Sequence, residues 1–259
     1  MAAVDTLPIS ELPSSISRAH KDSLREEKRD NGDVNAEVVY TIQPPSNEEL
    51  FFRVYQGEQA GGPPATNAET VTKDVRIRNL RNLPFLPSLD IEGFQLEKLV
   101  VPEVDWADDE QIKAVLYPLV ESLIRKTTGA SRVHLFDHTL RKGSMRNSDG
   151  HVRGGRGQPV PRLHVDYTLR TGHTRLKELL PDEADQLTKT PFAVIQVWRP
   201  LKGTVDDSPL AMVDARSVHP DDFLSNRLEF PERTGYTYAM KHNPAHQFYY
   251  AEGLGRITL

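Results

Sequence analysis

The sequence predicts a mainly β protein that carries helices on the outside of a β-sandwich or barrel, and three observations lead to this class. Several short segments alternate apolar and polar residues as strands do, among them EVVYTI at residues 37–42. Only one long segment, residues 108–127, has helical periodicity. Strands and helices do not alternate regularly, which argues against a parallel α/β sheet.

The first part of the chain is predicted to be disordered and the remainder to form one domain. Residues 1–36 are rich in charged side chains and contain too few apolar ones to offset the entropy of ordering. Strands follow in EVVYTI and ELFFRVY, with the turn-forming segment QPPSNE between them. We therefore expect a single domain over residues 37–259.

The segment 108–127 is the most clearly predicted helix. Its apolar residues recur at helical spacing, acidic residues stand at its beginning, and Gly129 lies beyond its end. Pro118 lies inside this pattern and removes one backbone donor, so we expect a kink there. We expect the helix to pack on the outside of the sheet.

The second half of the chain continues mainly with predicted strands. SRVHLFDHTLR at 131–141 alternates like a strand and precedes a glycine-rich loop, whereas TRLKELLPDEADQL predicts a short helix. The apolar run FAVIQVWRPL is typical of a buried strand, and the segments PLAMVDARSV, GYTYAMKHN and HQFYYAE complete the series. The residues expected in the interior are Val165, Ile195, Val197 and Val213.

Composition excludes several classes of function. The chain has 259 residues, 37% of them hydrophobic, and a net charge of −5, which does not resemble a basic nucleic-acid surface or a polybasic membrane anchor. There is no cysteine, so thiolate metal sites, disulfides and cysteine nucleophiles are excluded. We expect a soluble cytoplasmic protein that binds a small molecule, with no nucleic-acid or membrane partner; the oligomeric state is not indicated.

A candidate metal site lies in PVPRLHVDYTLR at residues 159–170. His164 and Asp166 are two positions apart, so on a strand both side chains point to the same face. An imidazole and a carboxylate are two members of the 2-His-1-carboxylate triad that binds non-haem iron(II). The alternative is a His–Asp pair that is hydrogen-bonded on a sheet face for orientation alone.

A third metal ligand would have to come from farther along the chain. The candidates are His219, His242 and His246, of which His219 resembles the start of a surface helix and His246 is the leading one. Arg256 follows His246 by ten positions, and its guanidinium could pair with the far carboxylate of 2-oxoglutarate.

Longer motifs resemble those of a known family. They are GFQLEKL, YPLVESLIRKTTGASRVHLFDHTLR, PVPRLHVDYT, VWRPLKGTVDDSPLAMVDARSV and RTGYTYAMKHNPAHQFYYAEGL, spread over residues 37–252. The chain resembles the fungal asaB hydroxylase/desaturase family, and is similar to the non-haem iron oxygenases of cephamycin methoxylation and meroterpenoid endoperoxide formation. The resemblance implies a double-stranded β-helix of the jelly-roll or cupin-like kind.

The same resemblance implies an activity and a ligand set. Members hydroxylate or desaturate small fungal secondary metabolites with Fe(II), 2-oxoglutarate and O₂, and His164 and Asp166 match their first two metal ligands. His134 and His138 match a segment that lines the cavity near the metal, and Trp198 could contribute to an apolar substrate wall. For His134 and His138 structural packing is an equal alternative, and for Arg199, Asp214 and Arg216 we favour a buried ion pair.

The resemblance also predicts a difference at the C-terminal end. Members continue with strands that supply a distal histidine and the arginine for the co-substrate, whereas this chain stops at GRITL. The chain is therefore expected to lack its last strands. Three explanations stay open at this point: an erroneous gene model, a pseudogene product, or a compensating use of His246 as the third ligand. The alternative function is a catalytically inactive, truncated family member that acts as a binding remnant, and a more remote one is a cupin-like hydrolase or isomerase that uses zinc or manganese.

Overall fold

The fold is mainly β: the described residues form two four-stranded sheets, one two-stranded sheet that pairs Glu97–Lys98 with Ile257–Thr258, and a few helices. The computed structural model describes residues 32–46, 48–53, 65–141, 160, 162–201, 203–205, 208–255 and 257–258. Most of the predicted disordered segment therefore lies outside the described residues. The strands are β1 Val34–Thr41, β2 Leu50–Arg53, β3 Thr70–Asn79, β4 Glu97–Lys98, β5 His164–Val165, β6 Ala211–Val213, β7 Phe223–Glu229, β8 Thr234–Met240, β9 Phe248–Tyr250 and β10 Ile257–Thr258. The helices are α1 Asp109–Thr128, α2 Leu169–Leu179 and α3 Ala184–Leu187, with 3₁₀ turns at Leu80–Asn82, Ala215–Ser217 and Pro220–Asp222.

The first sheet has the strand order β1-β3-β9-β6. β1 and β3 pair antiparallel along their whole shared length, and β9 joins β3 in parallel, with Ile77 opposite Phe248. Apolar side chains on one face form a core of Tyr40, Ile77, Phe248 and Tyr250. Strand β1 begins at Val34 rather than at the predicted residue 37, because its backbone continues to pair with β3 through a polar stretch.

The second sheet has the order β2-β7-β8-β5 and carries the candidate site at its edge. β7 and β8 form an antiparallel hairpin, and the short strand β5 adds to β8 with His164 opposite Ala239. The amide of Leu163 donates to the carbonyl of Val39 in β1 at 2.9 Å. The segment that bears His164 is therefore attached to both sheets.

Helix α1 confirms the predicted helix to within one residue at each end. The Asp108 carboxylate accepts hydrogen bonds from the amides of Glu110 and Gln111, which satisfies donors that the first turn leaves free. Gly129 ends the helix with φ of 70°, a left-handed conformation that glycine adopts without steric cost. Ile112 and Val120 are buried, and Pro118 lies in the helix as the sequence shows.

The structure describes residues 131–141 and 192–201, but it has no strand in either segment, although the sequence predicts one in each. Neither segment has regular secondary structure, so the strand predictions for SRVHLFDHTLR and FAVIQVWRPL were wrong. Alternation reports which side of a segment is apolar, but a strand also needs a second backbone beside it. The prediction that Val165 lies in the interior was also wrong, because its side chain is 40% exposed. Ile195, Val197 and Val213 are half-buried.

The predicted helix in TRLKELLPDEADQL is divided into two. α2 begins earlier, at Leu169, because the Thr168 hydroxyl accepts from the Thr171 amide at 3.0 Å and caps the helix there. Pro181 lies between α2 and α3, where it prevents continuation of the first helix. No helix in the described part of the chain is both long and apolar enough to cross a membrane. The cytoplasmic location stays a prediction.

Candidate active site

His164 and Asp166 lie together, as their spacing predicts. His164 is the first residue of β5, and Asp166 follows the strand immediately. The imidazole Nε2 of His164 is 3.1 Å from Oδ1 of Asp166. Pairing of β5 with β8 holds one side of this turn, and the capped start of α2 at Thr168 holds the other.

Hydrogen bonds orient both side chains. The Nδ1 of His164 lies 2.7 Å from the carbonyl oxygen of Arg162, which can only accept, so Nδ1 carries the proton and Nε2 faces Asp166. The second carboxylate oxygen of Asp166, Oδ2, accepts a hydrogen bond from Nε2 of Gln196. Each carboxylate oxygen therefore has its own partner.

The pKa values of the pair shift in opposite directions. The hydrogen bond to Asp166 raises the pKa of His164 by more than burial lowers it. The same hydrogen bond lowers the pKa of Asp166, burial opposes this, and the hydrogen bond from Gln196 lowers it further. The arrangement favours an imidazolium beside a carboxylate when no metal ion is bound.

The two donor atoms suit a shared metal ion. An imidazole nitrogen and a carboxylate oxygen bind first-row divalent ions at about 2.1 Å, so neighbouring ligands at a right angle are about 3.0 Å apart. The observed separation of 3.1 Å between Nε2 of His164 and Oδ1 of Asp166 matches this spacing. These are the two atoms that a metal ion would contact.

The pair faces a large open cavity of about 3690 Å³. The predicted substrate-lining residues His134, His138 and Trp198 all line it together with His164 and Asp166. Small-molecule sites have volumes of about 300–1000 Å³, so a small molecule fills only part of this space. Its walls include the segments 132–141 and 192–200, most of whose apolar side chains are half-buried.

His138 belongs to a hydrogen-bonded chain in the cavity wall. Its Nδ1 lies 3.0 Å from the hydroxyl of Tyr117, and its Nε2 lies 3.1 Å from Oδ1 of Asp109. Both ring nitrogens therefore have partners on helix α1. This fixes the ring at the wall of the cavity and leaves neither nitrogen for a metal ion.

The structure does not bring His246 to the candidate metal ligands. Its side chain is 1% exposed, with Nε2 3.1 Å from Oδ2 of Asp222 and the ring stacked on Tyr40. Among the described residues, no group of three His, Asp or Glu side chains lies close enough together to hold a metal ion. Of the other two candidates, His219 caps a 3₁₀ turn and His242 packs edge-on against Tyr40.

Arg256, the predicted partner of 2-oxoglutarate, lies outside the described residues. Two other arginines line the cavity near the pair. The family resemblance places Arg141 in the segment that lines the cavity, whereas Arg162 was given no role in a site. Arg162 is adjacent to the turn, and burial lowers the pKa of its guanidinium. Arg141 is close enough that its charge helps to lower the pKa of Asp166 and opposes, without reversing, the raised pKa of His164.

Comparison with known proteins places the chain in a family. Residues 38–256 match the model of the family described as the Oxidoreductase/YMDC permease-like domain. The chain belongs to this family. The matched region includes nearly every described element, from β1 to the end of β9.

The chain is similar to curated proteins of several fungi. The chain is 34% identical over 198 residues to "Oxidoreductase AN1597" of Emericella nidulans, an alignment that covers 72% of this chain and 66% of the relative. It is 28% identical to "Hydroxylase/desaturase efuI" of Hormonema carpetanum, over 73% of this chain and 70% of that protein. It is 30% identical to "Fe(II)/2-oxoglutarate-dependent dioxygenase nvfI" of Aspergillus novofumigatus, over 70% of this chain and 64% of that protein. The chain thus spans about two thirds of these relatives, and the predicted resemblance to fungal hydroxylase/desaturases is confirmed.

Solved structures confirm the fold relationship. A variant of the iron and alpha-ketoglutarate-dependent endoperoxidase NvfI superimposes with a TM-score of 0.74 at 23% identity, covering 87% of this chain and 82% of that one. NvfI in a different conformation gives a TM-score of 0.72 with the same coverage. The oxidoreductase domain described above therefore has the overall architecture of an oxygenase fold.

Proposed function

We propose that this protein is an Fe(II)- and 2-oxoglutarate-dependent oxygenase that hydroxylates or desaturates a small secondary metabolite. The observation that carries the proposal is the 3.1 Å approach of His164 Nε2 to Asp166 Oδ1 at the wall of the cavity. Family membership and the names of the curated relatives support it. We also propose that the two sheets form a double-stranded β-helix; the absence of its last strands stays a prediction.

His164 and Asp166 would hold the iron in this proposal. The bond from His164 Nδ1 to the Arg162 carbonyl directs Nε2 into the cavity, and the lowered pKa of Asp166 keeps its carboxylate ionised at neutral pH. When bound, iron and 2-oxoglutarate supply the activation of dioxygen. Among the described residues, no third ligand lies beside this pair.

The cavity wall suits the remaining reactants. Arg141 and Arg162 place positive charge near the pair, which favours a dicarboxylate co-substrate. Arg256 stays a proposal for the same role. Apolar side chains of 192–198, including Trp198, would contact the carbon skeleton of the metabolite and displace water from it.

An anaerobic titration tests this function. The purified chain is titrated with Fe(II) in the presence of 2-oxoglutarate, and the weak visible charge-transfer band of the chelate is recorded. We expect the band in the wild type and its loss in His164→Ala, because one of the two described ligands is removed. The matched control is His173→Ala, which removes an exposed histidine on α2. Equal iron stoichiometry in His164→Ala and the wild type would contradict the proposal.

A catalytically inactive binding protein is the second candidate. It is favoured by the pair of ligands without a third among the described residues. Such a protein would bind the metabolite or 2-oxoglutarate in the cavity without consuming either. Measured turnover of 2-oxoglutarate by the 259-residue chain would exclude this candidate, whereas binding without turnover, with iron present, would support it.

A further inference from the structure

We propose that Gln196 is a positioning residue that fixes the Asp166 carboxylate for metal binding, an inference that rests on the proposed function. Gln196 lies in the segment 192–201, far from Asp166 in sequence, and its Nε2 donates to Oδ2 of that carboxylate. The other oxygen, Oδ1, faces His164. Gln196 therefore acts on the ligand and not on the metal ion.

Two different partners determine the rotation of the carboxylate. A carboxylate held by one oxygen can turn about its last torsion angle and exchange its two oxygens. Here Oδ1 is held by the imidazole of His164 and Oδ2 by the amide of Gln196, so rotation would break both bonds. Only Oδ1 is then directed at the position shared with Nε2 of His164.

The position of Gln196 in the sequence supports a specific role. The six other residues of FAVIQVW, 192–198, are apolar and half-buried and line the cavity, and Gln196 is the one long polar side chain among them. Gln196 itself is exposed to the open cavity, and its side-chain amide donates to the Asp166 carboxylate.

The chemistry of an amide suits this role better than that of a charged group. A lysine or arginine at position 196 would place a positive charge beside a bound cation and weaken its binding. A carboxylate would repel Asp166 and compete for the metal ion. The neutral Gln196 amide donates a hydrogen bond without either effect, as outer partners of metal ligands commonly do.

Cobalt(II) affinity provides a test that does not depend on turnover. Co(II) is titrated into the metal-free full chain, and both the dissociation constant and the visible absorption spectrum are recorded. We expect Gln196→Met, which keeps the length and removes the donor, to weaken binding about 10- to 100-fold and to change the spectrum. Gln196→Asn, which keeps the amide but does not reach Asp166, should weaken binding similarly.

The controls separate this inference from the proposed function. Gln186→Met replaces an exposed glutamine on α3 and should bind Co(II) like the wild type. If the wild type binds no Co(II), or if His164→Ala binds it equally well, the proposed function fails. If binding depends on His164 but both Gln196 variants keep the wild-type affinity and spectrum, only the role of Gln196 is refuted.

Discussion

At the scale of single residues, His246 forms a buried pair with Asp222 behind the first sheet. Asp222 accepts hydrogen bonds from the His219 amide at 2.8 Å and from the Asn243 side chain at 2.9 Å, besides its contact with His246. Burial alone would raise the pKa of Asp222, but these hydrogen bonds outweigh it and the pKa is lowered. The pair connects the 3₁₀ turn before β7 with the turn before β9, so its role in the structure is to hold these turns together.

Because of this pair, we expect the folded protein to lose stability at acidic pH. Burial lowers the pKa of His246 below its ordinary value of about 6.5, although Asp222 opposes the shift. The unfolded chain therefore protonates its histidine more readily than the folded chain does. The contribution of His246 to the free energy of unfolding is complete above pH 6.5 and is lost as the pH falls below that value. Each pKa unit corresponds to about 1.4 kcal/mol in the free energy of unfolding. The lowered pKa of Asp222 also makes the folded chain less stable on acidification, but only below about pH 4.

Urea unfolding at pH 7.5 and pH 5.0 measures this effect. The raised pKa of His164 acts in the opposite sense, because its contribution is present at low pH and is lost as the pH rises. The informative quantity is therefore the change in pH dependence between variants. We expect His246→Gln to lose less stability on acidification than the wild type, and His173→Gln to behave like the wild type. An unchanged pH dependence in His246→Gln would show that the histidine does not titrate as inferred.

At the scale of elements, local signals predicted helix α1 well and two strands poorly. Helical periodicity and the capping residues Asp108 and Gly129 are all local in sequence, so the ends of α1 could be read directly. The strands expected at 131–141 and 192–201 require a neighbouring backbone, which no local pattern reports. The same reason applies to the candidate site. The closeness of His164 and Asp166 could be predicted because they are two residues apart, whereas the contact of Gln196 joins distant segments and could not.

The N-terminal cap of α1 gives a prediction for this element. Asp108→Ala removes the acceptor of two amide hydrogen bonds, at 3.0 and 3.1 Å, and should lower the free energy of unfolding by about 1 kcal/mol. A urea titration at neutral pH measures the difference. Asp182→Ala, which changes an exposed aspartate between α2 and α3, is the control. Equal midpoints for the wild type and Asp108→Ala would rule out the capping role.

At the scale of the whole molecule, metal binding should be coupled to folding. The segment around His164 is attached to both sheets, through β8 and through the bond from Leu163 to Val39. An ion that binds only the folded chain raises the free energy of unfolding by about 2.7 kcal/mol when its free concentration is one hundred times its dissociation constant. For a chain of this size, that corresponds to about 5–10 °C in the melting temperature.

Thermal melting with and without Co(II) measures this coupling. We expect the wild type to melt at a higher temperature with the metal, and a chelator to reverse the increase. Asp166→Ala should show no increase, because it removes a ligand that the folded chain brings close to His164. Asp182→Ala is again the matched control. An equal increase in Asp166→Ala would place the bound metal elsewhere on the chain.

The strand order of both sheets has a consequence for the newly synthesised chain. β3 pairs in parallel with β9, and β2 pairs in parallel with β7, so each sheet joins an early segment of the chain to a late one. Pairing of strands that are far apart in sequence is slow, since the distant segments must meet before their contacts stabilise the fold. On the ribosome, the hydrogen-bonding edges of β2 and β3 stay without these partners until most of the chain has emerged. The early strands are therefore the part of the two sheets that waits longest for its hydrogen-bonding partners during synthesis.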